Sequence, residues 1–233
     1  MTHSLRLLLS APHPCSYLDE PQSSTLFVDP EATIDTNIYS QLAQQGFRRS
    51  GDHIYRPHCQ SCQECKAVRL PVTQFQPSRQ QRRTWNRNSD LIITVTTTPD
   101  RQEHLALFKR YINARHSGGG MDEMTGEAPF EFLQSPWGST LFYEFRDQQG
   151  ILLSVAVSDQ LLNGLSAVYS YFEPSESKRS LGVMSVLWQI EQATEMQLPF
   201  LYLGYWISGS QKMSYKTNYQ PLQWFDGERW LSL

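Results

Sequence analysis

Between residues 141 and 172 apolar positions gather in three short runs, 141–145, 151–158 and 165–172, each of strand length and bounded by turn signals. Residues 147–150 divide the first two runs, and Asn163-Gly164 divides the last two. Asn-Gly is a strong hairpin signal because both residues tolerate positive φ. Three consecutive antiparallel strands are therefore expected. The apolar period then lengthens. Val183, Val186, Leu187, Ile190 and Ala193 share one face of a helix that Ser180 is placed to cap. Alternation returns over 200–206, where Phe200, Tyr202 and Gly204 interleave with Leu201, Leu203 and Tyr205. A strand, a helix and a strand in that order need a crossover, so the last two strands are expected to lie parallel and adjacent.

The first half is more irregular. Residues 46–55 read as a hairpin around Gly51, and Val68, Leu70 and Val72 mark a strand within 67–75. Residues 78–88 are polar and helix-compatible, with Arg79, Arg82 and Arg83 at helical spacing and Trp85 among them. A strand is expected at 91–97. Asp100, with Glu103 three residues on, then opens a helix whose stripe is Leu105, Phe108 and Ile112. Gly118-Gly119-Gly120 stops that helix, and 121–138 reads as a connecting loop. The expected organisation is a cysteine-bearing, basic β module over 1–90, followed by an α+β domain over 91–233 with a mixed sheet. The junction of its last strands and helix is where exposed backbone N–H groups suit a phosphate-bearing ligand.

The chain has 233 residues, 39% apolar and 12% aromatic, enough to bury a sizeable core and to exclude disorder over most of its length. It has no run of the ~20 apolar residues that a membrane span needs, and its start does not read as a signal peptide. A soluble, cytoplasmic protein is expected. Charge is unevenly distributed. Residues 46–90 hold nine basic and three acidic residues, a net +6 in a chain whose total is −3, so the remainder carries −9. Such a block reads either as a contact for a polyanion or as a solvated arginine-rich face.

Four cysteines, Cys15, Cys59, Cys62 and Cys65, include a close triplet. In a reducing compartment they read as zinc or iron–sulfur ligands, or equally as reduced thiols with no metal. Arg179, Ser180 and Gly182 fit a phosphate-cradling turn at a helix start. Two further cationic groups, Arg115-His116 and Lys212 with Lys216, are placed either to receive a carboxylate or simply as surface charge. Asp159 ends a predicted strand, as a proton acceptor for an amine or as a turn former. No nucleophilic triad is readable.

Several segments together resemble one family. They are Thr25-Leu26-Phe27-Val28-Asp29-Pro30, Gly46-Phe47-Arg48-Arg49-Ser50-Gly51, Tyr55-Arg56-Pro57-His58-Cys59, Arg115-His116 and Gly164-Leu165-Ser166-Ala167-Val168-Tyr169. Arg179-Ser180-Leu181-Gly182, Tyr202-Leu203-Gly204-Tyr205-Trp206-Ile207 and Lys212-Met213-Ser214-Tyr215-Lys216 complete the set. The likeness is to the aminoacyl-tRNA–protein transferases, in particular their compact, leucine-transferring bacterial branch. It implies an acetyltransferase-like fold for the second half and transfer of leucine from leucyl-tRNA to the α-amine of proteins beginning with Asp or Glu, which marks them for degradation. It places the acceptor at Arg115, His116, Tyr205, Lys212 and Lys216, and the tRNA across Arg79, Arg82, Arg83 and Trp85 and the 179–182 turn. Asp159 is then the expected base. The aminoacyl ester is already activated, so the transfer needs no cofactor. Three alternatives stand beside this reading: arginine as the donor, a coenzyme A-dependent N-acetyltransferase (which Met184, after the turn glycine, argues against), and a metal-binding RNA module without enzymatic activity.

Overall fold

The computed structural model describes residues 5–18, 22–115, 124 and 126–233. The first part of the chain forms β1 (Leu7–Leu9), β2 (Thr25–Val28), α1 (Thr36–Gln44), β3 (Arg48–Ser50), β4 (His53–Pro57), β5 (Lys66–Pro71) and α2 (Arg79–Arg87). Then follow β6 (Ile92–Thr96), α3 (Arg101–Arg115), α4 (Ala128–Leu133), β7 (Ser139–Arg146), β8 (Leu152–Leu161) and β9 (Gly164–Phe172). The last elements are α5 (Leu181–Glu195), β10 (Phe200–Trp206), a 3-10 segment Gln211–Asn218, β11 (Gln223–Phe225) and β12 (Trp230–Ser232).

Local chemistry explains most boundaries. The Asp100 carboxylate accepts from the N–H groups of Gln102 and Glu103 at 2.9 and 3.1 Å and starts α3. Ser78 and Gln81 form a reciprocal capping box at the start of α2. Ser180 precedes α5 as expected but does not cap it with its hydroxyl; it sits in the left-handed region at φ 55°. The β8–β9 turn also differs in mechanism. Its loop is Leu162-Asn163, and neither Asn163 nor Gly164 has positive φ. Gly164 is needed for close approach instead, since a Cβ there would stand 2.5 Å from the carbonyl oxygen of Phe200 on the neighbouring strand. Within the expected 121–138 loop lies α4, and its residues Pro129, Phe130 and Leu133 are buried.

The larger sheet has eight strands in the order β12-β11-β5-β10-β9-β8-β7-β6. Strands β6 to β9 run antiparallel in succession, and β10 joins β9 in parallel through the α5 crossover, as the periodicity predicts. Helix α5 covers one face with Leu181, Met184, Leu187, Ile190 and Ala193 against Val68, Leu165 and Leu201. Helices α3 and α4 cover the other with Leu107, Phe108, Ile112 and Phe130 against Phe142, Val155, Val157 and Tyr171. The boundary expected at residue 90 cuts across this body. β5 pairs with β10 and β11, and Trp85 of α2 stacks on Trp188 of α5 with ring centroids 5.9 Å apart. The early module proper is the four-stranded sheet β1-β2-β4-β3 with α1. Among the described residues no helix is long and apolar enough to cross a membrane.

A buried ion pair lies at the centre of the contact between that module and the larger sheet. Arg49 on β3 meets Asp159 on β8 through Nε at 2.5 Å and Nη2 at 2.7 Å, and neither side chain is exposed. Thr140 Oγ1 and the Tyr39 hydroxyl also donate to the carboxylate, at 2.8 and 3.1 Å. The guanidinium in turn donates to the carbonyls of Phe132 and Leu133 after α4 begins. Apolar packing of Tyr39, Leu42, Phe47 and Ile54 on Leu161 and Tyr202 surrounds the pair. Removing one partner strands a buried charge, so Asp159→Ala is expected to lose about 3–5 kcal/mol of stability, read as a lower urea midpoint at constant m-value.

Candidate active site

Parallel pairing between β9 and β10 covers only three residue pairs, Gly164 to Ser166 against Phe200 to Tyr202. Beyond them both strands carry an irregularity at the same level. The β8–β9 register steps from Tyr169 to Ala167 and leaves Val168 unopposed. The β10–β5 register steps from Tyr202 to Gly204 and leaves Leu203 unopposed. An unopposed residue bends its strand and sharpens its twist, so the two strands part and open a wedge in the middle of the sheet. Carbonyl groups that a regular ladder would have used then face the gap.

Two cations fill it. Arg48 of β3 donates through Nη1 to Ser166 Oγ at 2.9 Å and through Nη2 to the Ala167 carbonyl, on the β9 side. Lys216, from the 3-10 segment, donates through Nζ to the Tyr205 carbonyl on the β10 side. Gly204, at φ 83°, makes room between them: a Cβ there would be strained and would lie 3.5 Å from Lys216 Nζ and 3.7 Å from Arg48 Nε. Arg48 and Lys216 are 9% and 6% exposed, and neither is ion-paired with a carboxylate among the described residues. Burial, with the Arg48 guanidinium adding to it, pulls the Lys216 ammonium down to about 7. Two buried like charges without a counterion form a site for an anion.

Successive residues of a strand point to opposite faces. This is how neighbours Arg48 and Arg49 reach different places, the wedge and the Asp159 anchor. The wedge is bordered by tyrosines. Tyr205 donates to the carbonyls of Gly46 and Tyr55 at 2.9 and 3.2 Å. Tyr215 is 45% exposed. Partial burial raises its hydroxyl, Tyr111 of α3 adds to that, and Arg48 opposes it. Burial likewise raises Tyr111, and Arg115 opposes it. Tyr111, near the end of α3, thus lies within electrostatic reach of Tyr215.

Of the expected acceptor residues, Lys216 lies in the wedge, Tyr205 supports it and Arg115 is exposed at the end of α3. Lys212 is exposed on the same 3-10 segment, and His116 lies outside the described residues. Asp159 is a correction. It is fully buried and its carboxylate is filled by Arg49, Thr140 and Tyr39, so it cannot reach a substrate amine and serves as an anchor instead. The 179–182 turn is also committed to the fold. Arg179 holds Asp90 through two bonds of 2.9 Å and also holds Glu176, while a Cβ at Gly182 would meet the Phe172 ring at 3.1 Å. Met184 is core. Arg79, Arg82 and Arg83 lie exposed on α2, with Trp85 half-buried beside them. Arg48 is absent from the expected site residues, although it lies in the basic 46–90 block and in the Gly46–Gly51 segment that carries the resemblance.

The thiols of Cys59, Cys62 and Cys65 line a cavity of about 230 Å³ with Arg56, His58 and Lys66. Burial, together with Cys15, Cys59 and Cys62 nearby, pushes the Cys65 thiol up to about 12. The four cysteines therefore gather in one place. Among the described residues no three His, Cys, Asp or Glu side chains stand where they could hold an ion. No step of the chemistry passes through them.

Comparison with known proteins agrees on the family. The profile described as "Arginine-tRNA-protein transferase, N terminus" matches residues 13–83, and the one described as "Arginine-tRNA-protein transferase, C terminus" matches residues 103–226. An aspartate/glutamate leucyltransferase from Teredinibacter turnerae is 50% identical over 98% of this chain and 94% of its own. One from Saccharophagus degradans is 50% identical over 99% and 98%. Among solved structures, L-PGS from Bacillus licheniformis overlaps 60% of this chain and 45% of its own at a TM-score of 0.47 and 12% identity. With both family regions matched, and relatives at half identity along almost its whole length, the chain belongs to the tRNA-dependent aminoacyl-tRNA–protein transferases.

Proposed function

We propose that this chain transfers leucine from leucyl-tRNA to the α-amine of proteins that begin with Asp or Glu, and that the Arg48–Lys216 wedge receives the acidic side chain. The observation that carries this reading is a pair of buried cations, paired with no carboxylate among the described residues, in a gap that bulges in β9 and β10 open. An incoming carboxylate supplies the missing counterion through charge-assisted hydrogen bonds. The names of the half-identical relatives favour leucine over arginine as donor. Four antiparallel strands, a crossover helix and a splayed parallel fifth strand support an acetyltransferase-like reading of the larger sheet.

The reaction asks little covalent work of the protein. The acceptor nitrogen attacks the ester carbonyl carbon, a C–N bond forms, the C–O bond to the tRNA ribose breaks, and the proton lost by the amine balances the hydroxyl regained by the ribose. Holding amine and ester together supplies ~7–11 kcal/mol of barrier reduction. The attacking α-amine titrates near ~7.7–8.0 and is partly neutral at physiological pH without a dedicated strong base. Arg79, Arg82 and Arg83, exposed on α2, and the half-buried Trp85 are the proposed contact for the tRNA.

Three outcomes are expected. In a mass-spectrometric assay with charged tRNAs, leucine joins peptides beginning with Asp or Glu and not those beginning with Ala; absence of any transfer from leucyl-tRNA rejects the reading. Arg48→Ala or Lys216→Ala raises KM for an Asp peptide by about 10- to 100-fold, one charged hydrogen bond, with a smaller effect on binding of leucyl-tRNA. The same KM rises with pH above about 7, because Lys216 loses its proton there in the free enzyme and the anion must restore it. Lys216→Arg flattens that profile, and a pH-independent KM in the unaltered protein contradicts the assignment.

A further inference from the structure

A groove of about 480 Å³ runs between α2 and α5 over the 3-10 turn Val72–Gln74. Its floor is apolar, formed by Val72, Phe75, Leu187 and Ile190, and Trp85 forms one wall. One side of Trp85 is taken by Trp188. Arg82 lines the groove, and Arg79, Arg83 and Arg87 are exposed on the same helix; none of the four is paired with a carboxylate among the described residues, while Arg82 and Arg87 each donate to one backbone carbonyl, of Pro77 and Lys178. This is unusual in a chain of net charge −3, where acids outnumber bases. On the opposite rim Glu191 is exposed. Its charge disfavours a phosphate inside the groove while leaving the arginine ridge open to one.

A row of unpaired arginines beside an aromatic-walled apolar slot matches one kind of occupant. Phosphates track the ridge, and an uncharged, flat ring drops into the slot. An extended apolar peptide would fill the floor equally well but would leave the exposed positive charge of the arginine row without a counterion. The groove also lies close to the wedge. Gln81 of α2 donates to the Asn218 carbonyl at 3.0 Å, and Phe75 packs on Tyr219 with centroids 6.2 Å apart. Asn218 ends the same 3-10 segment that carries Lys216. A strand held at the groove is thus held against the element that forms the acceptor site.

We infer that this groove binds an unstacked nucleobase from a single-stranded stretch of RNA, with Arg79, Arg82, Arg83 and Arg87 on the flanking phosphates. The inference rests on the proposed tRNA contact of α2 and adds to it a preference for unpaired over paired RNA. A ridge of arginines alone would bind both forms by charge. The slot discriminates, because only an unpaired base can leave its stack and enter.

The test uses the full chain and a labelled single-stranded RNA octamer ending in CCA, compared with a blunt duplex of the same sequence, by fluorescence anisotropy. The single strand is expected to bind about tenfold tighter, the worth of one base–aromatic contact, and to quench tryptophan emission in the unaltered protein but not in Trp85→Phe. Thr73→Trp, an exposed position on the groove wall, blocks the slot without touching the core and is expected to abolish the preference while leaving duplex affinity in place. Equal affinity for both RNAs, or an unchanged preference in Thr73→Trp, overturns the inference. So does Trp85 quenching by an Asp-initiated peptide rather than by RNA. The Arg82→Ala/Arg83→Ala variant separates the two readings: it is expected to weaken both RNAs and reduce their salt dependence. If it weakens neither, the tRNA contact of α2 itself fails.

Discussion

The buried bond between Arg49 and Asp159 is the constraint on which the rest of the molecule turns. It links a short hairpin strand of the small sheet to the third strand of the antiparallel series in the large one, with Tyr39, Thr140 and the carbonyls at the end of α4 completing its hydrogen bonds. Ion pairs of this kind contribute little net stability compared with an apolar replacement, because desolvation offsets attraction. Their value lies in orientation. Two long side chains locked by several bonds fix where β3 lies against β8 and which way its next residue points.

That next residue is Arg48, and the wedge it enters is itself made by departures from regular structure. A continuous parallel ladder between β9 and β10 would use the Ala167 and Tyr205 carbonyls and leave no space for a cation. The unopposed residues Val168 and Leu203 and the left-handed Gly204 part the strands, and the exposed carbonyls then accept from Arg48 and Lys216. Burying two like charges is costly, and the cost shows in the lowered Lys216. A substrate carboxylate would relieve it. On the proposed reading, relief of that cost is what favours an acidic acceptor.

Much of this architecture was legible in the chain. The 139–206 region obeys period two, then the helical period, then period two again, so the meander and crossover follow from patterning alone. The cap at Asp100 matches the sequence expectation, whereas Ser180 precedes α5 without capping it through its hydroxyl. Other parts were hidden for physical reasons. α1 buries Tyr39, Leu42 and Ala43 from a mostly polar segment, and β5 and α2 belong to the large sheet through contacts that no local pattern encodes. Asp159 was misread because a strand-end carboxylate looks the same in sequence whether it faces solvent or a buried guanidinium. Arg179 and Gly182 likewise mimic a phosphate turn while serving an ion pair and a ring contact.

The dependence of selectivity on the anchor is most directly tested with two peptides that differ only in a charge, one beginning with Asp and one with Asn. Their ratio of kcat/KM is measured for the unaltered protein and for Arg49→Met/Asp159→Leu, a replacement by apolar side chains that preserves a folded core. A strong Asp preference that largely disappears in the folded variant is the predicted result. Full preference retained in that variant would show that the wedge holds its shape without the anchor and would contradict the account.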